Sequence, residues 1–193
     1  RELGIPEEKV QVLHVELPSI EEAPDPWIRE RGQRDALSVG LFQLPEDTFF
    51  ICSDCDEIAN PAKLEEMKEA VLEHSDKTVR LSMSMHYGRA DRQLVSPTGE
   101  KFDWRCGTAS TVAQLKEFGT LSSLRATTNN WYVGNRNAGW HLSWMGDADK
   151  RRRKLSSIAE YYIWDKPEVQ KLCDEFVPEE GKTDMLGRQD HLI

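Results

Sequence analysis

The feature that most constrains this chain is a short apolar run, residues 48–53, that empties directly into Asp54-Cys55-Asp56-Glu57. A continuous apolar run of that length, entered through the turn Pro45-Glu46-Asp47, predicts a strand buried on both sides. Such strands occur where helices cover both faces of a sheet, so an α/β fold is expected. In open α/β sheets, ligands bind beyond the carboxyl ends of the strands. The acidic turn stands at such an end.

The rest of the chain reads consistently with that. Val10, Val12, Val15 and Leu17 suggest a strand, followed by an acidic, proline-bearing loop over 18–26. A helix is predicted over 27–44, with Leu37, Leu41 and Leu44 on one face. Asn60 is placed to cap a helix that has Pro61 in its first turn and Leu64, Met67 and Val71 as its apolar stripe. Residues 78–87 alternate, with Val79, Leu81, Met83, Met85 and Tyr87 opposite Arg80, Ser82, Ser84 and His86, which predicts one strand with a wetter face. Ser96-Pro97-Thr98-Gly99 reads as a turn. A helix near 111–118, strands near 131–133 and 139–144, a helix opened by Asp147 or Asp149 and carrying Leu155, Ile158 and Tyr162, and a last helix over 167–176 complete the pattern. The tail from about residue 178 is polar. Strands alternating with helices predict a mixed central sheet flanked by helices in a single domain.

Composition excludes several classes. The chain of 193 residues carries 34 acidic and 25 basic side chains, a net charge of −9. That balance argues against a nucleic-acid polymer as partner, because phosphate backbones demand a basic surface. No apolar run approaches the roughly 20 residues needed to span a bilayer. Four cysteines are too few for a disulfide scaffold, and the Cys52-x-x-Cys55 pair lacks two further ligands at zinc spacing.

Two local patterns carry chemistry. Asp54 and Asp56, at i and i+2 on a strand end, present hard oxygens suited to Mg²⁺ or Mn²⁺, and such a cation offsets charge on a departing diphosphate. Asn137-Ala138-Gly139-Trp140-His141-Leu142-Ser143-Trp144 places two indoles and an imidazole within five residues. On a strand, Trp140, Leu142 and Trp144 would point one way, and His141 and Ser143 the other. Indole faces stack on sugar rings, and His141 is a candidate cation ligand or phosphate partner. The blander readings are a solvated acidic turn, core tryptophans and a satisfied histidine.

With these residues in view, the chain resembles glycosyltransferase family 17, the β-1,4-mannosyl-glycoprotein 4-β-N-acetylglucosaminyltransferase family. Three blocks carry the resemblance. They are Gln33-Arg34-Asp35 with Gly40-Leu41, the acidic turn with its strand and Glu57-Ile58, and the Ala-Gly-Trp-His block over 137–144. The resemblance implies a GT-A-like nucleotide-sugar transferase fold, a donor such as UDP-N-acetylglucosamine, a glycan or glycoprotein acceptor, Mn²⁺ or Mg²⁺, and inversion at the anomeric carbon. It implies that Asp54, Asp56 and His141 hold the metal and that Arg34, Asp35 and Asp54 meet the nucleotide sugar. Trp140, Trp144 and Asn137 would shape the sugar and acceptor sites. Asp149, Asp147 or Glu57 would be the base. The implied compartment is the cytoplasm for a bacterial or viral chain, or the Golgi lumen by an anchor outside this piece for a eukaryotic one.

The chain also departs from the family pattern. Ala59 stands where proline is usual, the run 150–154 is unusually basic, and the family's first strands are missing, so Arg1 is expected not to be the natural start. Two rival readings remain open. A strand ending in D-x-D also serves haloacid dehalogenase-type phosphatases, with Asp147 and Asp149 imitating their later acidic pair. A non-catalytic glycan-binding domain would use Trp140 and Trp144 without turnover.

Overall fold

The computed structural model describes residues 10–19, 21–159, 161, 166–182 and 191–192. Asp25 opens the first helix, α1 (Pro26–Leu41), by accepting from the Trp27 amide, with Pro26 in the first turn. Strands β1 (Phe49–Cys52) and β2 (Glu57–Ala59) flank the acidic turn. Asn60 accepts from the Ala62 amide and opens a 3₁₀ turn, Pro61–Lys63, that runs into α2 (Leu64–Glu73). Then follow β3 (Thr78–Leu81), β4 (Met83–Tyr87), β5 (Leu94–Val95), β6 (Asp103–Trp104) and β7 (Thr108–Thr111). Helices α3 (Val112–Phe118) and α4 (Leu121–Ala126) lead to β8 (Asn130–Val133) and β9 (Gly139–Ser143). Helices α5 (Ala148–Ser157) and α6 (Pro167–Glu175) and strand β10 (His191–Leu192) complete the described elements. Tyr162 and Arg1 lie outside the described residues, as does most of the tail after residue 182.

The fold is mixed α/β, but the single central sheet expected from the sequence is two. One sheet has the order β1-β7-β3-β8 and the other β2-β9-β4-β6, each with one parallel pair, β3/β8 and β4/β9. A short pair, β5/β10, stands beside them. The expected strand over 78–87 divides at Ser82, where the chain passes from the first sheet to the second. Ser82 is a junction: its amide donates to Val133 O, its carbonyl accepts from Ala138 N, and its hydroxyl donates to Asp103 and accepts from the Arg136 amide. The expected wet face of that strand is also buried, because Arg80, Ser82 and Ser84 all find partners inside.

The partner side bulges at the same place. Leu81 opposes Val133 while Ser84 opposes Trp140, so three steps on one side match seven on the other. The excess forms the 134–138 loop, which needs positive φ at Gly134, Asn135 and Arg136. At Gly134 a Cβ would stand 2.5 Å from the Ala138 amide nitrogen, so glycine is required there.

Helices cover the first sheet on both faces. Met67, Ala70 and Val71 of α2 pack on Val79, Leu81, Ala109 and Val133. On the other face, Leu115, Leu121 and Leu124 of α3 and α4 pack on Cys52, with Phe50 and Leu41 beside them. The second sheet is covered by Leu155 and Cys173 of α5 and α6, packed with Met85, Tyr87 and Trp144. Three sequence expectations differ here: the strand over 10–17, the apolar face of α1, which meets α4 through Ser38 and Leu41 rather than Leu37 and Leu44, and the burial of β1 on both sides. Residues 10–17 join no ladder among the described residues, and Val10, Val12, Leu13 and Val15 are exposed. Helix α1 buries Ser38 rather than Leu37, which faces solvent together with Leu44 beyond the helix end. Strand β1 pairs only with β7 and is an edge, half-buried rather than buried on both sides.

Candidate functional site

The acidic turn is tight: the Glu57 amide donates to Asp54 O at 2.9 Å, and the Asp54 amide donates to Glu57 Oε2 at 2.9 Å. This reciprocal pair points the Glu57 side chain inward. Its Oε1 accepts from Trp104 Nε1 at 2.6 Å, so both oxygens of a buried carboxylate are satisfied. Asp54 and Asp56 turn outward and take different partners.

Asp54 receives a fork from Arg125 of α4, Nη1 to Oδ1 at 2.8 Å and Nη2 to Oδ2 at 3.3 Å. Arg34 of α1 approaches the same carboxylate at 3.7 Å and pairs with Glu30 at 2.7 Å. Arg125 also lies 3.8 Å from Glu57 and is only 11% exposed at its side chain. Burial disfavours its charge, yet the hydrogen bonds and field of Asp54 and the field of Glu57 outweigh that and hold the guanidinium above its ordinary range. Arg125 is itself fixed from behind. Arg80 donates to the Arg125 carbonyl, to Thr108 Oγ1 at 2.8 Å and to Asn130 Oδ1 at 3.1 Å. Helix α4 begins at amides held by Ser38 Oγ and Asp35 Oδ1 of α1.

Asp56 receives Lys154 of α5 at 2.7 Å, and His141 Nε2 stands 3.4 Å away. Burial opposes ionisation of Asp56, but the hydrogen bonds from His141 and Lys154 win and hold its carboxyl well below the usual carboxylate range. His141 pairs with Glu57 across β2 and β9 and leans on Trp104, ring centroids 4.1 Å apart. Its Nδ1 is buried without a partner. The second of the chain's tryptophans in this block behaves differently. Trp144 breaks the alternation with a φ of 56° and joins the core, where Lys154 Nζ sits 5.4 Å from its ring. Trp140 lies on the opposite face of the sheet from His141, is 39% exposed, and stands beside exposed Ile58.

The structure thus brings Asp54, Asp56, Glu57, Arg34 and His141 together and distributes the other expected residues elsewhere. Asp35 serves the N-terminus of α4. Asn137 is exposed in the loop before β9, where its carbonyl accepts from Asn60. Asp147 caps α5 through the Lys150 amide, and that bond holds its carboxyl below its ordinary range. Asp149 faces solvent, paired with Arg152. Sequence reasoning missed Arg125, Trp104 and Arg80, and read Lys154 only as one member of a basic run. A single arginine on a six-residue helix has no periodic signal to mark it. Cys52 is buried and Cys55 exposed, both free, and burial pushes the Cys52 thiol up.

A divalent cation on Asp54, Asp56 and His141 can be weighed against these contacts. Both oxygens of Asp54 lie in the Arg125 fork, and Asp56 Oδ2 is held by Lys154. Among the described residues, no three His, Cys, Asp or Glu side chains converge as a metal-ion cluster. As the side chains stand, the donor chemistry suits a hard cation but the places are taken by the protein's own cations.

A second acidic region lies apart. A cleft of about 330 Å³ between α2 and β8 is lined by Glu66, Glu69, Glu73, His74, Trp131 and Tyr132. His74 stacks on Trp131 at 3.8 Å. No helix among the described residues is long and apolar enough to cross a membrane. No family model matches the chain, and neither the curated proteins nor the solved structures give a match.

Proposed function

We propose that the protein is a glycosyltransferase of GT-A-like architecture, resembling family 17, that moves a sugar from a nucleotide-sugar donor to a glycan hydroxyl. The observation that carries this reading is the meeting of two separate motif blocks: His141 of the Gly-Trp-His block stands 3.4 Å from Asp56 of the acidic turn. Arg34 of the third block reaches Asp54 from α1. Three blocks that share an order in sequence thus share a place at a strand end, where α/β proteins bind ligands.

The donor in this reading is UDP-N-acetylglucosamine, with its diphosphate at the acidic turn among Arg34, Arg125 and Lys154. Guanidinium and ammonium groups are the standard partners of phosphate oxygens. The acceptor oxygen attacks the anomeric carbon as the bond to the diphosphate breaks, which inverts the centre, and the hydroxyl proton passes to a carboxylate. Of the three candidates, Glu57 has both oxygens engaged and Asp147 is a helix cap. Asp149, exposed in the first turn of α5, is paired with Arg152 rather than gathered at the acidic turn, and this reading keeps it as the base because it is neither buried nor a helix cap. Trp140 has an exposed indole, but on the sheet face opposite His141, so in this reading it meets only a part of the acceptor remote from the reacting hydroxyl.

Calorimetry with UDP-sugars and GDP-sugars, each with and without Mn²⁺, tests the reading. A UDP-sugar should bind, and Asp56→Ala should abolish that binding. Absence of any UDP-sugar binding in the presence of Mn²⁺ would overturn it. Phosphate release from a phosphomonoester would instead favour the phosphatase chemistry of a D-x-D strand end.

A further inference from the structure

Strand β8 ends the first sheet, and among the described residues its only strand partner is β3. The ladder fixes which backbone groups are spent. The Thr78 amide donates to Asn129 O at 3.0 Å, and the Ser82 amide donates to Val133 O at 2.9 Å. Alternation along the strand then turns the N–H and C=O groups of Asn130 and Tyr132 the other way, toward the free edge. Proteins usually blunt such an edge with charge, proline or a cover, because its open donors and acceptors are a template for another strand. The middle of β8 is instead Trp131 and Tyr132, 42% and 47% exposed.

The two sides of this edge differ in charge. On the α2 side lies the cleft of about 330 Å³, with Glu66, Glu69 and Glu73 on its helical wall. Glu69 and Glu73 are exposed and have no ion-pair partner among the described residues. Trp131 is held at the cleft by His74, stacked at 3.8 Å, and Lys77 lies 5.3 Å from its ring. On the other side, Tyr132 carries the Arg105 guanidinium over its ring at 4.6 Å. The glutamates alone mark no site; what matters is their place beside an unpaired edge. Glu69 and Glu73 stand at i and i+4, about 6 Å apart along the helix axis. Side chains on one face of an extended strand recur every ~6.7 Å. A strand laid on β8 with a basic residue at every second position therefore keeps step with both carboxylates. Its intervening side chains face Tyr132 and Arg105, where a second row of cations would be repelled.

A second copy of this chain fits the edge badly. Two β8 strands paired about a two-fold axis would set both acidic α2 walls face to face, in a chain of net charge −9. We propose that the β8 edge and the α2 cleft together receive an extended segment of a partner protein that carries Lys or Arg at alternate positions. Main-chain hydrogen bonds to Asn130 and Tyr132 hold the segment, and Glu69 and Glu73 select its charge pattern. The cleft shares no residue with the acidic turn, so this inference does not rest on the donor reading.

The test titrates the full chain with a short, end-capped, fluorescein-labelled peptide of alternating lysine and threonine, read by anisotropy. This peptide should bind, and the same residues sorted into a lysine block and a threonine block should bind more weakly. Glu69→Gln with Glu73→Gln should lower the affinity for the alternating peptide roughly tenfold. N-methylation of one alternate set of peptide residues should abolish binding and of the other set should spare it, since only one set turns its amides toward β8. Hydrogen exchange at the Tyr132 amide should slow on binding, while the Trp131 amide, which faces β3, should not change. Tyr132→Pro removes the outward N–H and should abolish binding. The N-methylated peptides, used with the wild type, carry the test if that variant fails to fold. No binding of the alternating peptide, equal binding of the block peptide, or equal effects of the two methylated sets would overturn the proposal. So would a wild-type dimer that Tyr132→Pro dissociates, which would assign the edge to a second copy.

Discussion

The protein carries two acidic clusters that were built in opposite ways. On α2, Glu66, Glu69 and Glu73 share a helix face at the α2–β8 cleft, and only Glu66 has an ion-pair partner among the described residues, Lys63 at 2.6 Å. Their grouping follows from helical spacing alone, and water solvates them. At the acidic turn, Asp54, Asp56 and Glu57 are consecutive or nearly so, yet apart from the Asp54 amide that Glu57 accepts from, their partners come from afar: Trp104, Arg125, His141 and Lys154. Bringing four distant side chains to three carboxylates orders long side chains and removes water, which costs free energy. The contrast teaches that charge density does not mark a site; the assembly of partners from separate elements does.

The largest expected effect is at the turn. Arg125→Ala leaves Glu57 buried and Asp54 unpaired and should cost about 2–3 kcal/mol in urea unfolding with an unchanged m-value. A loss below about 0.5 kcal/mol would place this cluster in the same class as the α2 glutamates. Next comes pH. The folded Asp56 carboxyl titrates below its unfolded range, so its contribution is complete above about pH 4 and is lost as pH falls through and below that range. Denaturation midpoints of the wild type and Asp56→Asn should therefore differ most near neutrality and converge on acidification. A constant gap from pH 7 down to pH 3 would deny the ion pairing. A smaller effect is expected at the root of the assembly. Asp35→Ala removes the acceptor for the Ser122 amide and should cost about 1 kcal/mol, the usual worth of a helix cap. Hydrogen exchange of α4 amides should rise with it. The smallest effect belongs to the other cluster: Glu69→Gln with Glu73→Gln should shift stability by no more than about 0.5 kcal/mol in either direction. A larger change would mean that the α2 face has partners of its own.

Much of the fold was legible. The start of α1 near Trp27, the Asn60-Pro61 entry that leads into α2, the apolar run of β1, and the strands around Trp131 and Gly139 all carry local signals, because caps, prolines and apolar periodicity act within a few residues. Strand β7 did not. Thr108-Ala109-Ser110-Thr111 lacks apolar alternation, yet it is the centre of the first sheet, since Thr108 satisfies Arg80 and Ser110 satisfies Gln114. The alternation over 78–87 was real but carried no sign of the switch between sheets at Ser82. That switch depends on the 134–138 bulge, far along the chain. Of the site, the acidic turn, Arg34 and His141 could be read; Arg125 and the role of Lys154 could not.

By itself the sequence determined the pieces: where helices start, which strand ends in carboxylates, and which block holds the histidine. Those follow from steric preference and hydrogen bonds between near neighbours, which a linear reading captures. Tertiary structure alone decided which cation neutralises which carboxylate, that Glu57 is spent on the Trp104 indole, and that Trp144 leaves the strand's alternation for the core. The reason is physical. Ion pairs and buried hydrogen bonds depend on distance and solvent exclusion, and these are set only when strands far apart in the chain come into register.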